Sequence, residues 1–324
     1  MLKTRLTEMF GMEHPIVQGG MQRVSRAELV AAVANAGALG FLSALTQPTP
    51  EALVAEVRRT RSMTDKPFGV NLTILPSRNP PPYEEYARAI IESGVKVVET
   101  AGYSPEPFIP VFEPSGVKVI HKCTSIKHAK KAQQVGCAAV SIDGFEAAGH
   151  PGEDGIGSLV LVPRAVDELD IPVIACGGFS DGRGLVAALA MGAEAVSMGT
   201  RFLGTREAPV HDKLKEKLVE GSELDTQLIF RKFKNTARVF KNSVAVEVAE
   251  IESRPGTEFT DVAELVAGER GAVVLETGDM EHGIWWAGVS TGLVYDIPSV
   301  AELVSRIVSD AEKIINERLR GLSQ

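Results

Sequence analysis

Cysteine is scarce in this chain. There are three in 324 residues, Cys123, Cys137 and Cys176, and none has CxxC spacing. A disulfide framework is excluded and a cysteine-zinc site is disfavoured, so three reduced thiols and no metal site are expected. Long apolar runs are also missing. The stretch LVAAVANAGALGFLSAL (29–45) is broken by Gly and Asn and does not read as a membrane span. The opening MLKTRLTEMFGMEHP has no long apolar core, so no signal peptide is expected and a cytoplasmic location is. Positive charge is in deficit, with 34 Lys and Arg against 42 Asp and Glu and a formal net charge of −8. That argues against a nucleic-acid surface and against attraction to anionic membranes, and leaves a small molecule as the expected partner.

What is present is a rhythm. Eight short β-branched runs each end in a small or polar residue and are followed by an Ala-rich amphipathic segment. They are PIVQGG (15–20), ALGFLSA (38–44), PFGVNLTI (67–74), VKVVETAG (95–102), VKVIHKCT (117–124), AAVSIDG (138–144), IPVIACGG (171–178) and AEAVSMGT (193–200). Near-continuous apolar runs suit parallel strands buried on both faces. The segments RAELVAAVANAG (26–37) and SIKHAKKAQQVG (125–136) show helical spacing and stop at Gly. Eight strands alternating with helices predict an α/β fold, the (β/α)8 TIM barrel. A doubly wound sheet is the alternative, but QGGMQRVSRAE lacks its GxGxxG opening.

The rhythm stops near residue 206. We assign residues 1–206 and 292–324 to the barrel, with SVAELVSRIVSDAEKIINERL (299–319) as its eighth helix. Residues 207–291 then form a smaller, mainly helical insertion after strand eight, over the barrel mouth. Its basic run RKFKNTARVFK (231–241) is expected to be a solvated helix face rather than a binding patch.

Reactive groups of such a barrel lie at the C-terminal ends of its strands. Those ends are Gly19-Gly20-Met21-Gln22, Asn71 with Thr73, Glu99, Lys122, Asp143 with the loop to His150, Gly177-Gly178 and Gly199-Thr200. Two features stand out. The glycine turns in CGGFSDGRG (176–184) and MGTRF (198–202) bring bare backbone N–H groups to helix starts, a phosphate cradle at the place where these barrels usually carry one. GEDGIG (152–157) sits mid-loop and reads as flexible only. The second feature is a charge, Lys122, at the end of a buried strand. It either stabilises negative charge, such as that on the pyrimidine edge of a reduced flavin, or is an ion-pair partner of Glu99 or Asp143. Asn71 and Thr73 either hydrogen-bond a ring or ribityl chain or simply finish strand three. On its residues alone, His150 reads as an ordinary loop histidine.

Taken in order, PIVQGGM, DKPFGVNLT, HKCT, DGFEAAGHPGE, GGFSDGRGLVAALAMGAEAVSMGTRF and GDMEHGIWWAG resemble the nitronate monooxygenase (2-nitropropane dioxygenase) family of FMN-dependent barrels, over nearly the whole chain. The QGGM, NLT and HKCT segments are most similar to a bacterial branch that includes NADH:quinone reductases. Enoyl-ACP reductase II is a more distant relative. The resemblance implies FMN against Gly20, Met21, Gln22, Thr73, Lys122, Asp143 and Ala148. It places the phosphate on Gly177, Gly178, Gly199 and Thr200. It makes His150 the catalytic side chain at the reactive face, as a base for a nitroalkane or a partner of a quinone oxygen. The implied activity is NAD(P)H:quinone reduction through the flavin, with nitronate oxidation by O2 as the alternative. A non-redox barrel that binds a phosphorylated ligand is the reading from another class. The proline-rich loop LPSRNPPPYEEY (75–86) is a candidate lid with Arg78 at its tip, available to a nicotinamide phosphate. In GIWWAG (283–288), Trp286 is a candidate pocket wall; Trp285 and Trp286 could equally be interdomain core.

Overall fold

The computed structural model describes residues 2–75 and 80–322. Eight strands, β1 (Ile16–Gln18), β2 (Leu39–Ser43), β3 (Gly69–Ile74), β4 (Val97–Gly102), β5 (Lys118–Cys123), β6 (Ala139–Asp143), β7 (Val173–Cys176) and β8 (Ala195–Met198), close into a barrel in chain order. Every pairing is parallel, and β8 closes on β1 with Val17 opposite Ser197. Each strand falls inside one of the eight apolar runs. They read that way because helices cover one face and the barrel interior the other, so almost no strand position meets water.

The helices α2 (Ala27–Asn35), α3 (Pro50–Arg61), α4 (Tyr83–Glu92), α5 (Ile109–Phe112), α6 (Ile126–Gln134), α7 (Ser158–Glu168) and α8 (Gly182–Ala190) follow β1 to β7 in turn; α1 (Arg5–Phe10) precedes them. After β8 comes one short turn, α9 (Thr200–Leu203). The eighth outer helix, α13 (Val300–Lys313), starts at a Ser299–Glu302 capping box and packs against α8 and α2, closing the ring as expected.

Between them, residues 207–291 hold α10 (Asp212–Glu220), α11 (Ser243–Glu252), α12 (Gly268–Thr277) and an antiparallel hairpin, β9 (Thr226–Ile229) with β10 (Ala237–Phe240). The hairpin corrects our reading of the basic run. Phe230, Phe233, Ala237 and Phe240 recur at helical spacing, yet no α-helix forms here. Instead the chain turns at Phe230 and Lys234, both with positive φ (65° and 53°), and runs back as β10. All four β10 residues are buried, Arg238 among them, while Arg231, Lys232, Lys234 and Lys241 of the same run are exposed. Ile229, Phe230, Val239, Val244, Val248, Val262 and Ile284 form a core of this segment's own.

Inside the barrel, period two sorts the side chains into layers. Val17, Leu39, Phe41, Val97, Ile120, Ala139, Ile174 and Ala195 pack into one apolar cluster with Leu6 and Phe10 of α1 and Met12, which seal the N-terminal end. Two residues further along the same strands stand Asn71, Glu99, Lys122, Ser141, Cys176 and Ser197, with Asp143 beyond Ser141 on β6.

Candidate functional site

The polar layer is tied together from its two sides. Thr73 Oγ1 donates to Asn71 Oδ1 at 2.8 Å, and Asn71 Nδ2 donates to Glu99 Oε2 at 2.7 Å. The same carboxylate oxygen accepts the Gly20 N–H at 2.9 Å. A Cβ on Gly20 would lie 2.2 Å from the Asn71 Cβ, so only glycine permits this crossing of β1 and β3. Met21 N donates to Ser25 Oγ at 2.8 Å, and Gln22 is exposed at the turn that follows.

Lys122 lies between two carboxylates, with Nζ 3.6 Å from Glu99 and 4.0 Å from Asp143. Burial opposes its charge, but Asp143 and Glu99 outweigh burial and hold the ammonium above the ordinary lysine range. Burial raises the pKa of Asp143, against the pull of Lys122, and pushes the nearby Cys176 thiol up. Asp143 Oδ1 is buried and accepts no hydrogen bond. An unmet acceptor beside a fixed cation is costly in the protein alone and suits a ligand edge that offers N–H next to C=O. The two readings of Lys122 are therefore not exclusive: the lysine is an ion-pair partner of both acids, and 19% of its side chain remains exposed.

The two glycine turns differ in how tightly they are packed. Gly177 and Gly178 have φ of 91° and 83°. A Cβ on Gly177 would collide with Gly144 O at 2.8 Å, whereas one on Gly178 would meet only the Glu146 side chain, at 3.5 Å. Above Gly199 the sole neighbour within 4 Å is the Met21 thioether. One detail differs from expectation. The start of α8 is already capped, because Asp181 Oδ1 accepts the N–H groups of Arg183 and Gly184. Open backbone is thus found at the glycines and not at that helix start. Thr200 Oγ1 accepts the Gly288 N–H at 3.0 Å and so holds the two-tryptophan segment on the cradle.

That segment crosses the His150 loop. Val289 N donates to Glu146 O at 3.0 Å, and Gly288 lies against the Ala147–Ala148 backbone. The two tryptophans part company. Trp285 is 1% exposed and stacks on Phe240 with centroids 4.3 Å apart, while Trp286 is 39% exposed and its ring lies 5.7 Å from that of His150, tilted by 44°. His150 is exposed at the tip of its loop, yet the surrounding protein lowers its pKa by burial, partly offset by Glu153. At neutral pH its imidazole is uncharged. Arg78 lies outside the described residues.

Residues 3–310 match the family model described as nitronate monooxygenase. The chain belongs to the nitronate monooxygenase family. It is 33% identical to a Rhodococcus jostii protein named as a 5-hydroxy-7a-methyl-1-oxo-octahydro-1H-indene-4-carboxyl-CoA dehydrogenase, over 97% of each chain. It is 30% identical to a probable nitronate monooxygenase of Staphylococcus aureus, over 97% of this chain and 98% of that one. FabK from Thermotoga maritima superposes with a TM-score of 0.91 at 35% identity, covering 99% of this chain and 100% of that one. The chain is thus an oxidoreductase of a flavin-dependent family, on a TIM-barrel fold. Among the described residues no helix is long and apolar enough to cross a membrane.

Two contributors escaped the sequence reading of this family member. Glu99 was read as a strand end and a possible ion-pair partner of Lys122, but not as the carboxylate that also holds Gly20 and Asn71. Arg238, on β10, donates to Phe145 O in the His150 loop and was hidden inside the misread basic run. A period-two reading of TARVF would have flagged an arginine in a buried strand.

Proposed function

We propose that the chain is an FMN-dependent oxidoreductase that accepts hydride from NAD(P)H and passes the electrons to a quinone. The observation that carries this reading is the pairing of the Lys122 ammonium with the unmet Asp143 Oδ1, an adjacent donor and acceptor that complement the pyrimidine edge of an isoalloxazine. FMN bound there supplies two-electron chemistry. Gly177, Gly178, Gly199 and Thr200 hold its phosphate. Gly20, Met21, Gln22, Thr73 and Ala148 line the ring and ribityl chain. Lys122 offsets negative charge that builds up on reduction.

His150 and Trp286 form the substrate slot. Their rings, with centroids 5.7 Å apart, touch each other and form one wall of that slot, a surface on which a flat nicotinamide or quinone can stack. The lowered pKa of His150 fits this use. A neutral imidazole donates a hydrogen bond to a quinone oxygen without repelling an oxidised, cationic nicotinamide. The curated relatives support two other readings. A nitroalkane would use His150 as the base that takes its α-proton and leaves the nitronate, and an acyl-CoA thioester would bring its reacting carbons to the same slot.

Steady-state turnover separates the three. NADH or NADPH oxidation with 1,4-benzoquinone should exceed, by about tenfold or more in kcat/KM, both propyl-2-nitronate oxidation with O2 and nicotinamide oxidation with an enoyl-CoA. A higher value for the nitronate or the thioester would replace the quinone reading.

A further inference from the structure

Strand β10 has two edges, and only one pairs with β9. Along the other, alternate backbone N–H groups point the same way, as a strand requires. Thr236 N donates to Glu153 Oε1 at 2.7 Å, Arg238 N to Gly149 O at 2.7 Å and Phe240 N to Trp285 O at 2.9 Å. Gly149 N returns a bond to Arg238 O at 3.0 Å. The free edge of the hairpin is therefore spent on the two segments that carry His150 and Trp286. Side chains reinforce it. The Arg238 guanidinium, 8% exposed, donates from Nη2 to Phe145 O at 2.9 Å and from Nη1 to Thr226 Oγ1 at 2.9 Å, and lies 5.3 Å from the Phe145 ring. Thr236 Oγ1 donates to Glu153 Oε2 at 2.5 Å.

We propose that Arg238 is a positioning residue for His150, and that β10 sets where His150 and Trp286 stand relative to each other in the wall of the substrate slot. The proposal rests on the reading that His150 faces substrate. Its logic is mechanical. The His150 loop is rich in small residues and has no regular structure of its own, so its path is fixed from outside. Phe145 opens the loop and Gly149 immediately precedes the histidine. Arg238 holds the first by its side chain and the second by its backbone, two fixed points on one residue. A charged bidentate donor in a buried place is stronger and more directional than neutral alternatives. Without the guanidinium, Phe145 O loses its donor and the loop is free to move toward solvent.

Arg238→Met removes the side-chain anchor and leaves the backbone pairing possible. Four readouts are taken on the flavin-loaded protein: flavin content, turnover, the same substitution in a His150→Ala background, and the NMR titration of the His150 ring. The groups that face that ring are Glu153 and Trp286, and neither is altered. We expect full flavin content and a kcat lowered about 10- to 100-fold, the scale of an ångström-sized misplacement. We expect little further loss when His150 is already alanine, and a His150 titration moved upward toward the ordinary imidazole value as the loop draws away from the surrounding protein. Arg238→Lys should recover part of kcat. Thr236→Val, which deletes only the hydroxyl tether to Glu153, should shift the titration in the same direction by less. Should Arg238→Met fail to fold, Arg238→Lys and Thr236→Val carry the same comparison. An unmoved His150 titration, or an equal loss of turnover in both backgrounds, overturns the proposal. If His150→Ala alone leaves turnover intact, the role of His150 falls, while the titration still decides whether Arg238 positions the loop.

Discussion

The two halves of the barrel interior are built from the same strands, one side-chain step apart. Below are Val97, Ile120, Ala139, Ile174 and Ala195; two residues on come Glu99, Lys122, Ser141, Cys176 and Ser197. The lower layer is closed by Leu6 and Phe10 and buries almost nothing polar. The upper layer holds one ammonium between two carboxylates, a carboxylate oxygen that accepts no hydrogen bond, and the hydroxyls of Ser141 and Ser197, which make none. Such a layer is unfavourable to build and cannot hold the barrel together alone. The comparison teaches a division of labour. The apolar half supplies cohesion, and the other half is left free to carry charge where a ligand can use it.

Substitutions in each half should therefore fail differently. The largest effect belongs to the cradle at the upper end. Gly199 has a negative φ, and a Cβ there would meet only the Met21 side chain, at 3.6 Å, so Gly199→Val should fold and yet lose FMN almost completely. Gly178→Val should lose it too, with added strain from its φ of 83°. Full flavin absorbance in both purified variants would place the phosphate elsewhere. Next is the lower half. Leu6→Ala should cost about 2–5 kcal/mol in denaturant unfolding, the range for truncating a fully buried leucine, with flavin content unchanged. Loss of flavin at native stability would erase the division.

A third contrast lies within one strand. Lys122 points inward, whereas His121, its neighbour on β5, packs outward and shares a 2.9 Å hydrogen bond with Thr100. Burial, with nearby His128 adding to it, pushes the His121 pKa down to about 4. The folded state therefore binds this proton less readily than the unfolded state. The stabilisation is present above the unfolded value near 6.5 and is lost as pH falls through that value toward about 4, by roughly 3 kcal/mol at most. His121→Gln should flatten the fall in stability between pH 6.5 and 4, and an equal slope in the variant would assign acid sensitivity to other groups. The smallest effect is the inward one. Lys122→Met should make flavin reduction less favourable by about 1.5–3 kcal/mol, read as a lower midpoint potential, with proton uptake by Asp143 tempering it. An unchanged potential would reduce Lys122 to an ion-pair partner.

The barrel was legible because strands buried on both faces leave apolar runs in the sequence, and the glycine turns at their ends mark where backbone lies bare. The hairpin was not legible. Phe230, Phe233, Ala237 and Phe240 satisfy a helical period, and only the positive φ at Phe230 and Lys234, which no residue type there announces, folds the run back on itself. The capped start of α8 was readable in principle, since Asp181 stands directly before GRG. Glu99 and Arg238 were visible as residues, but their roles arise from pairings 79 and 93 positions away along the chain. Such pairings belong to the assembled tertiary structure and have no local signature.

The central claim is that the upper half of the barrel holds a flavin that a nicotinamide reduces and a quinone reoxidises. Anaerobic mixing of the flavin-loaded protein with NADH, NADPH or propyl-2-nitronate, with flavin absorbance followed in time, tests it most directly. One nicotinamide should bleach the flavin rapidly, and 1,4-benzoquinone should then restore its colour. Bleaching by the nitronate, with the flavin left oxidised by both nicotinamides, would contradict the account.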